Sequence, residues 1–451
     1  MYKEQGTVIR DQALGMTRYA ELDQAVVRSL TVTSRRYWLL VGALALVVIG
    51  AVFTYLYQVR AGLWVTGLNN PVFWGGYILT FIFWIGLSHA GTLLSAVLHL
   101  TQSHWRKPIY RGAEVMTLFA LVNAGLLPII HLGRGWYFYW IFPPYPNQRG
   151  LWPNMRSPLS WDSIAINTYL VGSALFLFLG MIPDLATVRD HTKGWRRRLY
   201  QILSLGWKGE ESQWQHFRRT YTLMASFLIP LMVSVHSIVA WDFAVSIMHG
   251  LHSTIFAPAF VLGAIYSGVA AVITLTVLIR KYFHFEAYIH MEHLEKLAIF
   301  LFVLCLLWNY MMFVETFVLW QTEDMVEFVV MRSKIAGPYA WMFWSMIFSI
   351  GILPLLLILK KVRSSIRALL IISILINAGL WVERFLILIP SLAYPDDPYA
   401  WGPYTLSAVE ITILIGTLAF FSLNFLIFIK IFPSVSMYEI KEMLPLQRKE
   451  A

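Results

Sequence analysis

The chain has 451 residues, 58% apolar and 13% charged, too few charges to cover the roughly three soluble domains its length would otherwise suggest. A net charge of +10 scattered over many segments is not a nucleic-acid footprint. The single cysteine, Cys305, excludes a disulfide framework, a cysteine-ligated iron–sulfur cluster and a CxxCH haem attachment.

In chain order, a polar tail (1–36) precedes ten apolar segments, each long enough to cross a bilayer: 37–59, 72–98, 112–133, 163–185, 219–246, 255–281, 297–320, 339–360, 367–390 and 405–432. The tail has no apolar core and does not read as a signal peptide. The apolar runs lack alternation and are too long for barrel strands. The expected fold is all-α, a polytopic membrane protein. Segments 2–5 (72–246) and 6–9 (255–390) read as two four-helix bundles, flanked by segments 1 and 10 and a tail, 433–451.

The expected bundles share sequence features, a weak internal repeat. Trp241-Asp242-Phe243 ends segment 5, and Trp381-Val382-Glu383-Arg384-Phe385 ends segment 9. Segment 3 carries Asn123 and then His131, and segment 7 carries Asn309 and then Glu315. Small-residue stretches in segments 2 and 6, Gly86 to Gly91 and Gly263 to Ala271, suit close helix packing.

Of the 35 lysines and arginines, 28 fall on the side of the two termini and 6 on the other, with Arg384 inside segment 9. Positive charge marks the cytoplasmic side, so both termini are expected there, in a bacterial inner membrane. Residues 194–207 read as a basic amphipathic stretch on the cytoplasmic leaflet. On the outer side, residues 134–162 form an aromatic, proline-rich loop suited to capping a site or docking a partner.

Intramembrane charges are costly and usually functional. His131, Asp162, Asp242, Glu315, Glu383, Arg384 and Glu410 occupy one layer just under the outer surface. Taken singly, each could snorkel to nearby water; the inner half is much poorer. Pro128 and Pro230 could kink segments 3 and 5 and re-aim their ends.

A histidine, several carboxylates and one arginine among aromatics suit quinol oxidation. A quinol losing two electrons must also lose two protons, and each hydroxyl needs an acceptor within hydrogen-bond reach. An imidazole paired with a carboxylate accepts a proton near neutral pH, and Asp242 is expected to face Arg384. His89, Glu114, Asp184 and His236 are the candidate proton route through the inner half. An integral b-type haem is disfavoured, because His89 and His236 are read at different depths. A secondary transporter is the alternative, although such proteins place their sites near the midplane on broken helices.

The run Gly86-Leu87-Ser88-His89-Ala90-Gly91, the closing Leu132-Gly133-Arg134 of segment 3 and Ala240-Trp241-Asp242 resemble the NrfD/PsrC family of membrane subunits of quinone oxidoreductases, over residues 72 to 390. Segments 1 and 10 and the long tail resemble its ActC branch, from alternative complex III. The resemblance implies quinol oxidation near the periplasmic face by His131, Asp162, Asp242 and Arg384, with Glu315 nearby, on menaquinol or ubiquinol. It further implies an iron–sulfur subunit on that face, multihaem cytochrome c subunits and a homologous membrane subunit. Haem and iron–sulfur centres would belong to those partners, and proton translocation would accompany the chemistry.

Overall fold

The computed structural model describes residues 19–141, 155–156, 158–322 and 324–443. Much of the aromatic loop and the ends of both tails therefore lie outside the described residues. Ten helices are long and apolar enough to span a membrane. They are α1 (Arg35–Ala61), α2 (Gly76–Leu100), α3 (Tyr110–His131), α4 (Pro158–His191), α5 (Glu211–Ala244), α6 (Phe256–Tyr282), α7 (Met291–Thr322), α8 (Ala340–Ile358), α9 (Ile366–Ala393) and α10 (Ala408–Ile431). No strand occurs among the described residues. The chain is an all-α, multi-pass membrane protein.

The core is organised on α2 and α6, which cross on small residues. A Cβ at Gly86 would lie 3.4 Å from the Ala264 Cα, and one at Gly268 only 2.9 Å from the Ala90 backbone nitrogen. Without a hydrophobic driving force between helices in lipid, such close backbone approach supplies the packing. From this seam α3, α4 and α5 gather on the α2 side, and α7, α8 and α9 on the α6 side. Helices α1 and α10 pack together against the first group, Ala51 meeting Gly416. Most of α1 turns outward: Trp38, Leu39, Leu46 and Phe53 are exposed, as a lipid-facing helix requires.

Helix α8 is not uniform along its length. It begins as an α-helix, passes through a π turn at Ile347–Ile352 and tightens to a 3-10 helix over Leu353–Ile358. Pro354 is the cause: having no N–H, it leaves the Ile350 carbonyl without its helical donor. That carbonyl accepts from the Tyr266 hydroxyl at 2.8 Å, and Gly351 O accepts from Asn309 Nδ2 at 3.0 Å. A freed backbone group at membrane depth must be satisfied by its neighbours in this way.

The first and last described stretches of the chain meet on one side. Residues 19–31 are helical, and the Tyr19 hydroxyl donates to Lys441 O at 3.0 Å, while Lys441 pairs with Asp23 at 2.7 Å. Lys430 donates to the carbonyls of Ser29 and Val32, capping the end of the 19–31 helix. The basic stretch is a helix, Gly194–Leu203, whose Trp195 and Ile202 are exposed. Its Tyr200 hydroxyl and Arg196 dock on the last carbonyls of α10.

Candidate functional site

Helices α3 and α5 end on the side where α4 begins, so His131, Asp162 and Asp242 share one end of three packed helices. His131 is the last residue of α3, and its Nδ1 has no hydrogen-bond partner among the described residues. Asp162 sits at the beginning of α4 and is only 6% exposed; Asp242 is two residues from the end of α5. Their carboxyls lie side by side, close enough to interact directly. Each keeps an Oδ1 without a partner among the described residues. The preceding residues, Trp161 and Trp241, pack edge to face at 6.3 Å beside them.

Arg384 and Glu315 belong to a different group. The Arg384 Nη1 lies 3.2 Å from Glu383 Oε2, so this arginine pairs with its chain neighbour rather than with Asp242 as expected. Its Cζ stacks 4.5 Å from the centre of the Phe260 ring. Gly263 leaves it room, since a Cβ there would stand 2.6 Å from Nη2. The indole of Trp308 donates to Glu383 Oε1 at 2.6 Å. Arg384, Glu383 and Glu315 line a cavity of about 690 Å³, with Lys334 and Glu327 from the short helix Met325–Ile335. Burial pushes the Lys334 ammonium below its usual range, against the pull of Glu315 and Glu327.

Between these groups the structure corrects the sequence reading of two histidines. His89 on α2 and His236 on α5 were expected at different depths, yet their rings meet at 4.6 Å and 67°. Counting residues from each helix end ignores how far each end rises above its neighbours. Both ring nitrogens of His89 sit against backbone carbonyls, Ile85 O at 2.7 Å and Met232 O at 2.9 Å. Both nitrogens of His236 lack a hydrogen-bond partner among the described residues. Toward the opposite end of the bundle, Arg111 pairs with Asp184 at 3.1 Å and Glu114 at 3.7 Å, and Tyr221 donates to Glu114 at 3.2 Å.

Residues 64–395 match the family model described as "Polysulphide reductase, NrfD". The chain belongs to the NrfD family. A dimethyl sulfoxide reductase membrane subunit, so named in Halobacterium salinarum, is 29% identical over 56% of this chain and 54% of its own length. The Hdr-like menaquinol oxidoreductase integral membrane subunit of Archaeoglobus fulgidus is 23% identical over 91% of this chain and 97% of its own. A selenate reductase subunit of Mesobacillus selenatarsenatis is 24% identical over 42% and 44%. This NrfD-family chain thus spans about half the length of the first and third of these relatives.

Several polar residues of the NrfD-family core escaped the sequence reading. Arg111, just ahead of the apolar segment 112–133, is fully buried and holds both Glu114 and Asp184. Its signal was the i, i+3 spacing to Glu114, which puts both on one helix face. Arg106 pairs with Glu439 at 2.9 Å, a contact 333 residues apart that no local pattern reveals. Glu410 leaves the functional layer: it forms a capping box with Ser407 and also accepts from Tyr404 and the Gly67 N–H, all structural roles.

Proposed function

We propose that this chain is the quinol-binding membrane subunit of a quinol oxidoreductase complex of the alternative complex III type. Oxidation takes place at the outer ends of α3, α4 and α5. The observation that carries the reading is the Asp162–Asp242 pair, buried among apolar helices with two carboxyl oxygens unpartnered, and His131 with a free nitrogen at the same end. Each quinol hydroxyl gives up a proton, one to a carboxylate oxygen of the pair and one to His131 Nδ1. An iron–sulfur centre in a partner subunit on the outer face would accept the two electrons. Carboxylate and imidazole bases act within the pH range where such transfers are efficient. The Archaeoglobus relative, named for menaquinol and alignable over nearly its whole length, supports that substrate class.

In this reading the complex sits in a bacterial inner membrane with the termini in the cytoplasm, in line with the charge asymmetry of the loops. A homologous membrane subunit and multihaem cytochrome c subunits make up the rest of the assembly. His236, His89 and the Glu114–Arg111–Asp184 cluster supply a proton route toward the cytoplasmic side. The test is Asp242→Asn in the native complex, assayed for oxidation of a short-chain quinol. The change keeps shape but removes a proton acceptor, and turnover should fall about 10²–10⁴-fold with assembly intact. Undiminished turnover in an assembled variant overturns the assignment.

A further inference from the structure

The cavity beside Arg384 is not part of the Asp162–Asp242 end. It lies among α6, α7, α9 and the helix Met325–Ile335, and its lining includes none of His131, Asp162 or Asp242. At about 690 Å³ it falls within the roughly 300–1,000 Å³ of pockets that enclose small organic ligands. Its walls are apolar, with Phe256, Phe260, Met312, Met331, Phe343 and Ile387. Val318 also lines it and is 52% exposed on the apolar flank of α7, so the cavity reaches the lipid-facing surface.

Its polar groups are set for a ligand that none of the described residues replaces. Arg384 is 4% exposed, yet its guanidinium makes no hydrogen bond to a described residue, only the ion pair with Glu383 and the stack on Phe260. A buried guanidinium presents five donors in a fixed fork, and leaving them unused is costly. Glu315 and Lys334 interact electrostatically across the space, and neither forms a hydrogen bond or ion pair with a described residue. Two cations stand against Glu315, Glu327 and Glu383, so the lining carries no excess positive charge to attract a lipid phosphate. A neutral molecule with oxygens at both ends of a flat ring matches this set: one oxygen accepts from Arg384, and the other accepts from Lys334.

We infer that this cavity is a quinone-binding site separate from the Asp162–Asp242 end, taking a neutral para-quinone ring with its isoprenoid tail toward the lipid. The ligand class rests on the proposed function; the site rests on the cavity and its unused donors. The experiment is photolabelling of the purified native complex with an azido derivative of a short-chain quinone. Peptides are then mapped, with and without excess unlabelled quinone.

Two competed labels are expected, one in peptides containing Phe260, Met312 or Arg384 and one beside Asp162 or Asp242. Lys334→Met and the cavity-filling Met312→Trp should each lower the first label about tenfold, as expected for losing one hydrogen bond to a charged group or its space, and leave the second unchanged. Label only beside Asp162 and Asp242 overturns the inference and leaves the proposed function standing. Label only in the cavity keeps the inference and overturns the placement of oxidation at the aspartate pair. No competed label at either site overturns both.

Discussion

Arg384 and Glu383 are adjacent in the chain, yet their side chains meet at 3.2 Å. Consecutive residues on a helix point about 100° apart and do not normally face each other. Here the contact is held from both sides, by the Trp308 indole on Glu383 and the Phe260 ring under Arg384. Removing one member strands the other inside the bilayer. Arg384→Leu should therefore lower stability by about 3–5 kcal/mol. Adding Glu383→Gln should recover much of the loss, because the stranded charge is gone. Unfolding midpoints in detergent for the single and double variants decide this. A double variant no better than the single one would show that the ion pair is not the source of the loss.

The closeness of the Asp162 and Asp242 carboxyls predicts non-additive kinetics. If one shared proton makes the pair a unit, removing either carboxyl disables it, and removing the second costs little more. Asp162→Asn and Asp242→Asn should each slow quinol oxidation about 10²–10⁴-fold, and the double variant should resemble the slower single. A double variant whose losses multiply would make the two carboxylates independent.

The α2–α6 seam separates two glycines that look alike in sequence. A methyl at Gly268 would meet the Ala90 side chain and approach its backbone nitrogen to 2.9 Å, with no flexible atom to give way. At Gly86 the nearest atom is 3.4 Å off. Gly268→Ala should destabilise by about 1–3 kcal/mol through overpacking, and Gly86→Ala should stay within about 0.5 kcal/mol. Equal shifts in thermal midpoint for the two would contradict a seam packed most tightly at Gly268.

Legibility from sequence followed the range of the interactions. Lipid imposes length and apolarity on each span separately, so all ten helices were readable to within a few residues, apart from the longer ends of α4, α5 and α7. The small residues of α2 and α6 announced a close contact because only backbone approach explains such a stripe. Which charge meets which was hidden. Asp242 and Arg384 were joined because both are buried near one surface, but Arg384 found a partner one residue away and Asp242 found Asp162 on the neighbouring helix. The break in α8 was foreseeable from Pro354, although the donors that tolerate it, Tyr266 and Asn309, come from two other helices. Glu410 carried the legible pattern of a capping box, Ser407 followed three residues later by glutamate.

The inner half offers the last test. His236 has two unpartnered ring nitrogens and touches His89, which in turn bonds backbone on α2 and α5. The Tyr169 ring lies 5.6 Å from His89, and its hydroxyl reaches Thr92 at 2.7 Å, extending the polar line inward. Such chains of histidine and hydroxyl groups inside a membrane are typical of proton relays. The bonds of His89 also serve as a plain strut between α2 and α5, so the two roles need separate readouts. In sealed vesicles containing the whole complex, quinol chemistry alone releases about two protons per quinol. The expected ratio is higher than two, falling toward two in His89→Leu while electron transfer continues. A strut without a relay predicts the other pattern, in which the ratio holds and thermal stability drops; that result would take His89 out of the route.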